Sequence, residues 1–270
     1  GIETGKLKKS LEKLSSGFRI VRAGDDAAGL AISEGMRSRI NSLNQAMRNI
    51  DDGIGLTNVG DGALTEVHSM LQRLKTLALK SANGTYDQSN RETLNMEKDQ
   101  ILEEIDRIGS TTKFGEISLF SRADANTNTQ LWQPPELDDT IPLQIGGSAQ
   151  AGEVLDVERY YIGSRELQLD QTDFSDVEKG HKSVGYIENA IEAVSKVRAS
   201  FGAAYMHLEH THNNLSVTSE NMQAAESQIR DTNMAEEITK YTSSNIVLQS
   251  SNMMLTNANN LPQTILELLK

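Results

Sequence analysis

Ile187, Val194, Phe201, Leu208, Leu215, Met222 and Ile229 recur at every seventh position, with no Pro and a single Gly, Gly202, between them. A strict seven-residue apolar repeat holds one seam of a helix against a partner helix over many turns, which is the condition for coiled-coil packing. At 1.5 Å per residue the segment predicts a helix about 65 Å long. Three residues after the first six members come Ala190, Val197, Ala204, Thr211, Thr218 and Ala225. These are mostly small, so neighbouring backbones can approach closely. Burying one large apolar side chain contributes roughly 1.5–3 kcal/mol, so leaving the row in water would forfeit on the order of 10 kcal/mol. The pattern predicts a rod that lies against other rods.

Elsewhere the same periodicity returns in shorter pieces. Leu7, Leu11, Leu14 and Phe18 share one helix face, and the helix should loosen at Ser15-Ser16-Gly17. Asp25 or Asp26 then offers an N-cap, since a carboxylate there accepts orphan backbone N–H groups. Ala27 to Ile32 is small and apolar, and Leu30, Met36, Ile40, Leu43, Met47 and Ile50 continue a helical face. Gly53, Gly55, Gly60 and Gly62 follow, each costing about 1 kcal/mol relative to Ala in an isolated helix. Tertiary packing is expected to carry the helix through them. Leu64, Val67, Leu71, Leu74 and Ala78 resume the pattern until Asn83-Gly84, a stop signal, and a second helix starts near Asn90 with Leu94, Ile101, Ile105 and Ile108 on one side.

Between Gly109 and Gly180 the character changes. Pro134, Pro135, Pro142 and the only Trp, Trp132, fall here. Leu143-Gln144-Ile145 alternates and Val154-Leu155-Asp156-Val157 is β-prone, with Gly146-Gly147 and Gly152 between them, so a hairpin of two short strands is expected. After the heptad helix, Asp231-Thr232-Asn233 breaks the register, and Tyr241, Leu248 and Leu255 start a new series out of step with Ile229. A joint and a final helix follow. That helix carries Ile238, Ile246, Leu248, Met253 and Leu255, then Pro262, then Ile265, Leu266, Leu268 and Leu269. Chain ends are usually solvated, so an end this apolar should be covered by something. The fold class is mainly α: long antiparallel helices in a coiled-coil-like bundle with a small β-hairpin region.

The 270 residues are only 37% hydrophobic and 4% aromatic, which fits packed rods better than a spherical core. A net charge of -12 and the absence of a clustered cationic patch exclude nucleic acid as a partner. Lys6, Lys8, Lys9 and Lys13 are offset by Glu3 and Glu12 and read as a solvated face. No cysteine is present, which excludes disulfides and thiolate metal sites. No apolar run approaches the roughly 20 residues that span a bilayer. The chain enters helical periodicity without an initiator Met or a signal-peptide core, from which removal of the true N-terminus is expected.

Candidate chemistry is sparse. His207, His210 and His212 fall within six residues, and His-rich tracts can bind zinc. Their order is not the His-Glu-x-x-His of zinc proteases, so three polar side chains on the wet face of the rod is the favoured reading. From Glu136 to Glu178 the chain is acidic, with Arg159 and Arg165 the only positive charges. A cation site there competes with the favoured reading of a solvated surface. Trp132 beside Pro134-Pro135 suits either a stacking platform for a sugar or, more commonly, a loop anchor. No P-loop, Gly-x-Ser-x-Gly or spaced carboxylate pair supports an enzyme, and no cofactor is expected.

At both ends the residues resemble those of bacterial flagellins. Leu14-Ser15-Ser16-Gly17-Phe18-Arg19-Ile20, Asp25-Asp26-Ala27-Ala28-Gly29-Leu30-Ala31-Ile32, Asn49-Ile50-Asp51-Asp52-Gly53-Ile54 and Ser81-Ala82-Asn83-Gly84-Thr85 look like the N-terminal signature. Arg198-Ala199-Ser200-Phe201-Gly202-Ala203, Glu220-Asn221-Met222, Ile229-Arg230-Asp231-Thr232-Asn233-Met234-Ala235 and Asn257-Ala258-Asn259-Asn260-Leu261-Pro262 look like the C-terminal one. Leu143-Gln144-Ile145-Gly146 resembles the family's hairpin region. Only Tyr160 to Lys179 lacks a counterpart, where longer flagellins insert outer domains, so a short form without them is implied.

The resemblance implies a secreted, extracellular, non-enzymatic subunit that polymerises into the flagellar filament for motility. Terminal helices from both chain ends would pair as an inner domain of residues 1–26 and 232–270. Residues 27–160 and 180–231 would form a helical rod domain with its hairpin region near 115–160, and 161–179 a short variable insert. Expected packing residues are Leu7, Leu11, Leu14, Leu30, Ile32, Leu248, Leu255, Leu266 and Leu269. Implied partners are further copies of the chain, flagellar cap and hook-associated proteins, and an export chaperone on the C-terminal helix. A host innate immune receptor would meet Gln72, Arg73, Leu77 and Glu97, although Thr76 and Lys80 depart from that family pattern. The rival readings are a cell-surface ligand-binding protein on this scaffold and a hook–filament junction protein.

Overall fold

The structure is a computed structural model that describes residues 2–120, 140–148 and 151–268, with side chains of the last helix described as far as residue 260. Five helices dominate: α1 (Ile2–Ser16), α2 (Ala27–Ser81), α3 (Gln88–Thr111), α4 (Val177–Arg230) and α5 (Met234–Leu268). Two short antiparallel hairpins, β1 (Lys113–Phe114) with β2 (Ile117–Ser118) and β3 (Thr140–Gln144) with β4 (Val154–Glu158), lie between α3 and α4 in sequence. The mainly helical class and the β3–β4 hairpin agree with the sequence patterning.

Local chemistry sets the boundaries. α1 stops where Gly17 takes φ 77 and donates its N–H to the Lys13 carbonyl at 2.8 Å, a left-handed termination that favours glycine. Asp26, rather than Asp25, caps α2: its Oδ1 accepts the Gly29 N–H at 2.9 Å. Asp25 acts one turn earlier, accepting the Val21 and Arg22 N–H groups at 3.3 and 3.1 Å. Asp87 caps α3 through the Asn90 N–H at 2.8 Å. α4 and α5 are separated by residues 231–233, the joint expected from the break in register.

α2 runs unbroken through Gly53, Gly55, Gly60 and Gly62 because two of these are sockets. A Cβ on Gly60 would sit 2.7 Å from Phe201 Cε1, and one on Gly53 would sit 2.7 Å from Leu143 Cδ1 and 3.2 Å from Leu208 Cδ1. The propensity lost at these positions is returned as close packing of α4 and the β3–β4 hairpin.

The chain divides into two compact units, residues 1–42 with 217–270, and residues 43–216. The second unit contains both core clusters. Leu64, Leu71, Leu74 and Leu77 of α2, Ile105 of α3, and Ile187, Val194 and Phe201 of α4 are buried together with Leu169 and Phe174 of the connecting segment. Ion pairs give the helix directions: Lys75–Glu188 at 2.8 Å and Asp61–Arg198 at 2.8 Å run α2 antiparallel to α4, and Arg73–Glu97 at 2.7 Å pairs α2 with the returning α3. β3 and β4 pair Ile141 with Val157 and Leu143 with Leu155, and Ile145 beyond them packs with Ile50 and Leu208. The first unit contrasts sharply. Ile20 is its one buried large apolar side chain among the described residues.

The heptad seam loosens close to this division, from Leu215 onward. Ile187, Val194, Phe201 and Leu208 are fully buried, whereas Leu215, Met222 and Ile229 are half-exposed.

Candidate assembly surface

In the first unit α1 packs along α5, so the two chain ends do pair. A tie between their connectors sets where that pairing starts. Phe18 and Asp231 form an antiparallel bridge. Beside it the Arg19 N–H donates to the Arg230 carbonyl at 2.6 Å and the Thr232 N–H to the Gly17 carbonyl at 2.9 Å. The Arg230 guanidinium lies over the Phe18 ring, 4.7 Å from its centroid, and donates to Glu34 at 2.6 Å. That hydrogen bond holds the Glu34 carboxyl below its ordinary pKa. These residues were not among the expected site. Arg230 and Phe18 are more than 200 positions apart, and no periodicity announces such a contact.

Apolar side chains point away from this pairing. Leu7, Leu14, Leu30 and Leu248 are half-buried, while Leu11, Ile32 and Leu255 are exposed. Leu266 and Leu269 lie outside the described side chains. On α5, Ile246, Met253, Met254 and Leu255 are 60% exposed or more, and Ile238 and Val247 are also open. Residues seven apart on a helix nearly coincide in direction, and each successive residue turns about 100°. Ile246 with Met253, Val247 with Met254, and Leu248 with Leu255 therefore mark three directions around one helix. These directions sweep about 200° of the helix, more than one neighbouring helix covers, and most of these side chains stay open with α1 in place.

The remaining candidates lie in the second unit. Gln72 and Arg73 are exposed, Glu97 is half-buried in its ion pair with Arg73, and Leu77 is fully buried in the core, so three of the four share a surface. His207 and His210 are exposed, and His212 faces Asp51 at 3.5 Å. His207 also lines a shallow cleft of about 290 Å³ with Asp156, Glu158 and Phe201. Among the described residues no group of three or more His, Asp or Glu is placed to hold a metal ion. None of their helices is long and apolar enough to cross a membrane. Trp132, Pro134 and Pro135 lie outside the described residues.

Residues 2–125 match the family model of the bacterial flagellin N-terminal helical region, and residues 184–269 that of the bacterial flagellin C-terminal helical region. A flagellin of Halalkalibacterium halodurans is 44% identical across 100% of this chain and 94% of its own. The chain belongs to the bacterial flagellin family. It is also similar to the Bacillus subtilis flagellin, at 40% identity over 97% of this chain and 92% of that one. The flagellar filament 33 kDa core protein of Treponema phagedenis is 38% identical over 98% and 92%. The crystal structure of Bacillus cereus flagellin superposes with a TM-score of 0.52 at 25% identity, covering 66% of this chain and 94% of that one. A putative flagellar hook-associated protein from Vibrio parahaemolyticus shares the fold, with a TM-score of 0.63 at 14% identity over 77% and 100%. As a flagellin, the chain is a structural subunit of the flagellar filament and works outside the cell.

Proposed function

We propose that this flagellin polymerises through the apolar faces of α1, α5 and the start of α2, with Leu7, Leu11, Leu14, Leu30, Ile32, Leu248 and Leu255 buried between copies. The observation that carries the reading is the three-directional apolar surface of α5, which α1 alone leaves in water. A head-to-tail contact that does not close on itself grows an open helical filament. Residues 1–26 and 232–270 then form the inner layer, and 27–160 with 180–231 the rod around it, with 161–179 as a variable outer segment. Export as an unfolded chain, an export chaperone on α5, and cap and hook-associated partners at the filament's ends belong to the same reading. The protein has no catalytic role in it and no nucleic-acid partner.

Seeded elongation, followed by light scattering and electron microscopy, tests this. The Met254→Asp/Leu255→Asp chain should elongate at least about tenfold more slowly than the parent, since charge placed on an interface must be desolvated. Its monomer should melt unchanged. Equal elongation of the two chains would remove α5 from the interface.

Contact with an innate immune receptor is a second proposed role, through Gln72, Arg73 and Glu97 with Leu77 supporting them from beneath. A reporter-cell assay that responds equally to the parent and to Arg73→Ala would discard it.

A further inference from the structure

The turn joining α2 to α3 contains the only Asn-Gly pair in the sequence, Asn83-Gly84. Both residues are exposed, and a Cβ on Gly84 would meet nothing within 4 Å. Hydrogen bonds converge on this peptide. Arg91, itself buried, donates through Nη2 to the Asn83 carbonyl at 3.0 Å and through Nη1 to the Ser81 carbonyl. The Tyr86 N–H also donates to the Asn83 carbonyl, at 3.4 Å. The Thr85 N–H donates to Asn83 Oδ1 at 3.2 Å.

Each contact has a chemical effect. A guanidinium on the peptide oxygen withdraws charge from that amide and makes the Gly84 N–H more acidic. An N–H on Oδ1 polarises the side-chain carbonyl and stabilises the oxyanion formed when Cγ is attacked. Gly84 has no side chain to obstruct the approach.

We propose that Asn83 is a self-modification site, at which the folded turn promotes loss of the side-chain amide. Hydroxide removes the Gly84 N–H proton, and Gly84 N attacks Asn83 Cγ. The N–Cγ bond forms, the Cγ–Nδ2 bond breaks, and ammonia leaves with a proton from water, which regenerates hydroxide. A five-membered succinimide remains. Water then opens it at one of two carbonyls. Addition at Cγ gives aspartate. Addition at the former main-chain carbonyl gives isoaspartate, with the backbone rerouted through Cβ. Arg91 already donates to that second carbonyl, so it polarises the carbonyl, holds the carboxylate released there, and directs the opening towards isoaspartate. The new negative charge sits near the C-terminal end of α2, where the helix dipole opposes it and Arg91 offsets it. The two Asp-Gly pairs, Asp52-Gly53 and Asp61-Gly62, lie inside α2, where the helical ladder engages the glycine N–H, and they stay intact.

The test is incubation of the whole protein in mildly alkaline buffer. The tryptic peptide 81–91 is then followed by mass spectrometry, with electron-transfer fragmentation to separate aspartate from isoaspartate. Asn83 should be the first asparagine to change, with isoaspartate in excess. Gly84→Ala, which has room to fold, should slow the loss at least about tenfold. Arg91→Lys should slow it about tenfold and shift the product towards aspartate. Should Arg91→Lys lose helix by circular dichroism, the parent alone decides: folded chain should react at least about threefold faster than urea-unfolded chain. Overturning results are an intact Asn83 while other asparagines react, a folded Arg91→Lys with the parent's rate and product ratio, or an unfolded chain that reacts as fast as the folded one.

Discussion

The two units of this flagellin solve opposite problems with the same helices. Residues 43–216 bury Leu64, Leu71, Phe174, Ile187 and Phe201 among themselves and present charge outside. Residues 1–42 and 217–270 bury little beyond Ile20 and leave Ile246, Met253, Met254 and Leu255 open. Apolar content therefore does not by itself specify a core. Whether a helix stabilises its own chain or awaits another depends on how many of its sides have neighbours.

Substitutions separate the two cases. Phe201→Ala should have the largest effect, since it empties the Gly60 socket and removes an edge-to-face contact with Phe120 at 6.1 Å. A loss of about 3–5 kcal/mol is expected in denaturant titration of the monomer. Met254→Ala, although it also deletes a large apolar side chain, should change that titration by no more than about 0.5 kcal/mol, because the residue is 74% exposed. A comparable loss at both sites would erase the distinction between the units.

Arg230→Ala comes next. It removes the Glu34 hydrogen bond and the stacking on Phe18, and a loss of about 1–2 kcal/mol is expected, confined to the first unit. Hydrogen exchange should quicken in α1 and α5 and stay unchanged at Leu71 and Ile187. Uniform quickening would show that the tie supports more than its own unit.

The smallest effect is on pH dependence. Lys179 donates to Asp173 at 2.7 Å and, with the Ser175 N–H and hydroxyl, holds its pKa down to about 2. The folded value lies below the unfolded one, so this contribution is complete above about pH 4 and is lost as pH falls through about 2. Solvent screening limits it to about 0.5 kcal/mol or less. Asp173→Asn should flatten the denaturation midpoint between pH 4 and 2 by that amount, and an identical acid response in both chains would remove the pair from the account.

Much of this was legible in residue order because it is periodic. The heptad row predicted α4, and its first four members are buried as a seam should be. Gly17 and residues 231–233 act locally, within one turn of where they stand, so their boundaries could be read directly, and the same locality narrowed the α2 cap to Asp25 or Asp26. What could not be read depends on partners distant in sequence. Gly53 and Gly60 are costs until Leu143 and Phe201 are known to occupy them. Leu77 has the phase of a core residue, and spacing from Arg73 alone does not show it. The Arg230–Phe18–Glu34 contact is visible only once the chain ends have met.

The bridge between Phe18 and Asp231 has a mechanical meaning. Two passes of the chain are pinned at one point, next to where α1 ends and α5 begins. Slippage of one helix along the other must first break the pin, so the pair can open only from its far ends, like a zip from its loose end. A protease should therefore nibble inward from the tips of α1 and α5 and stall at the fastening.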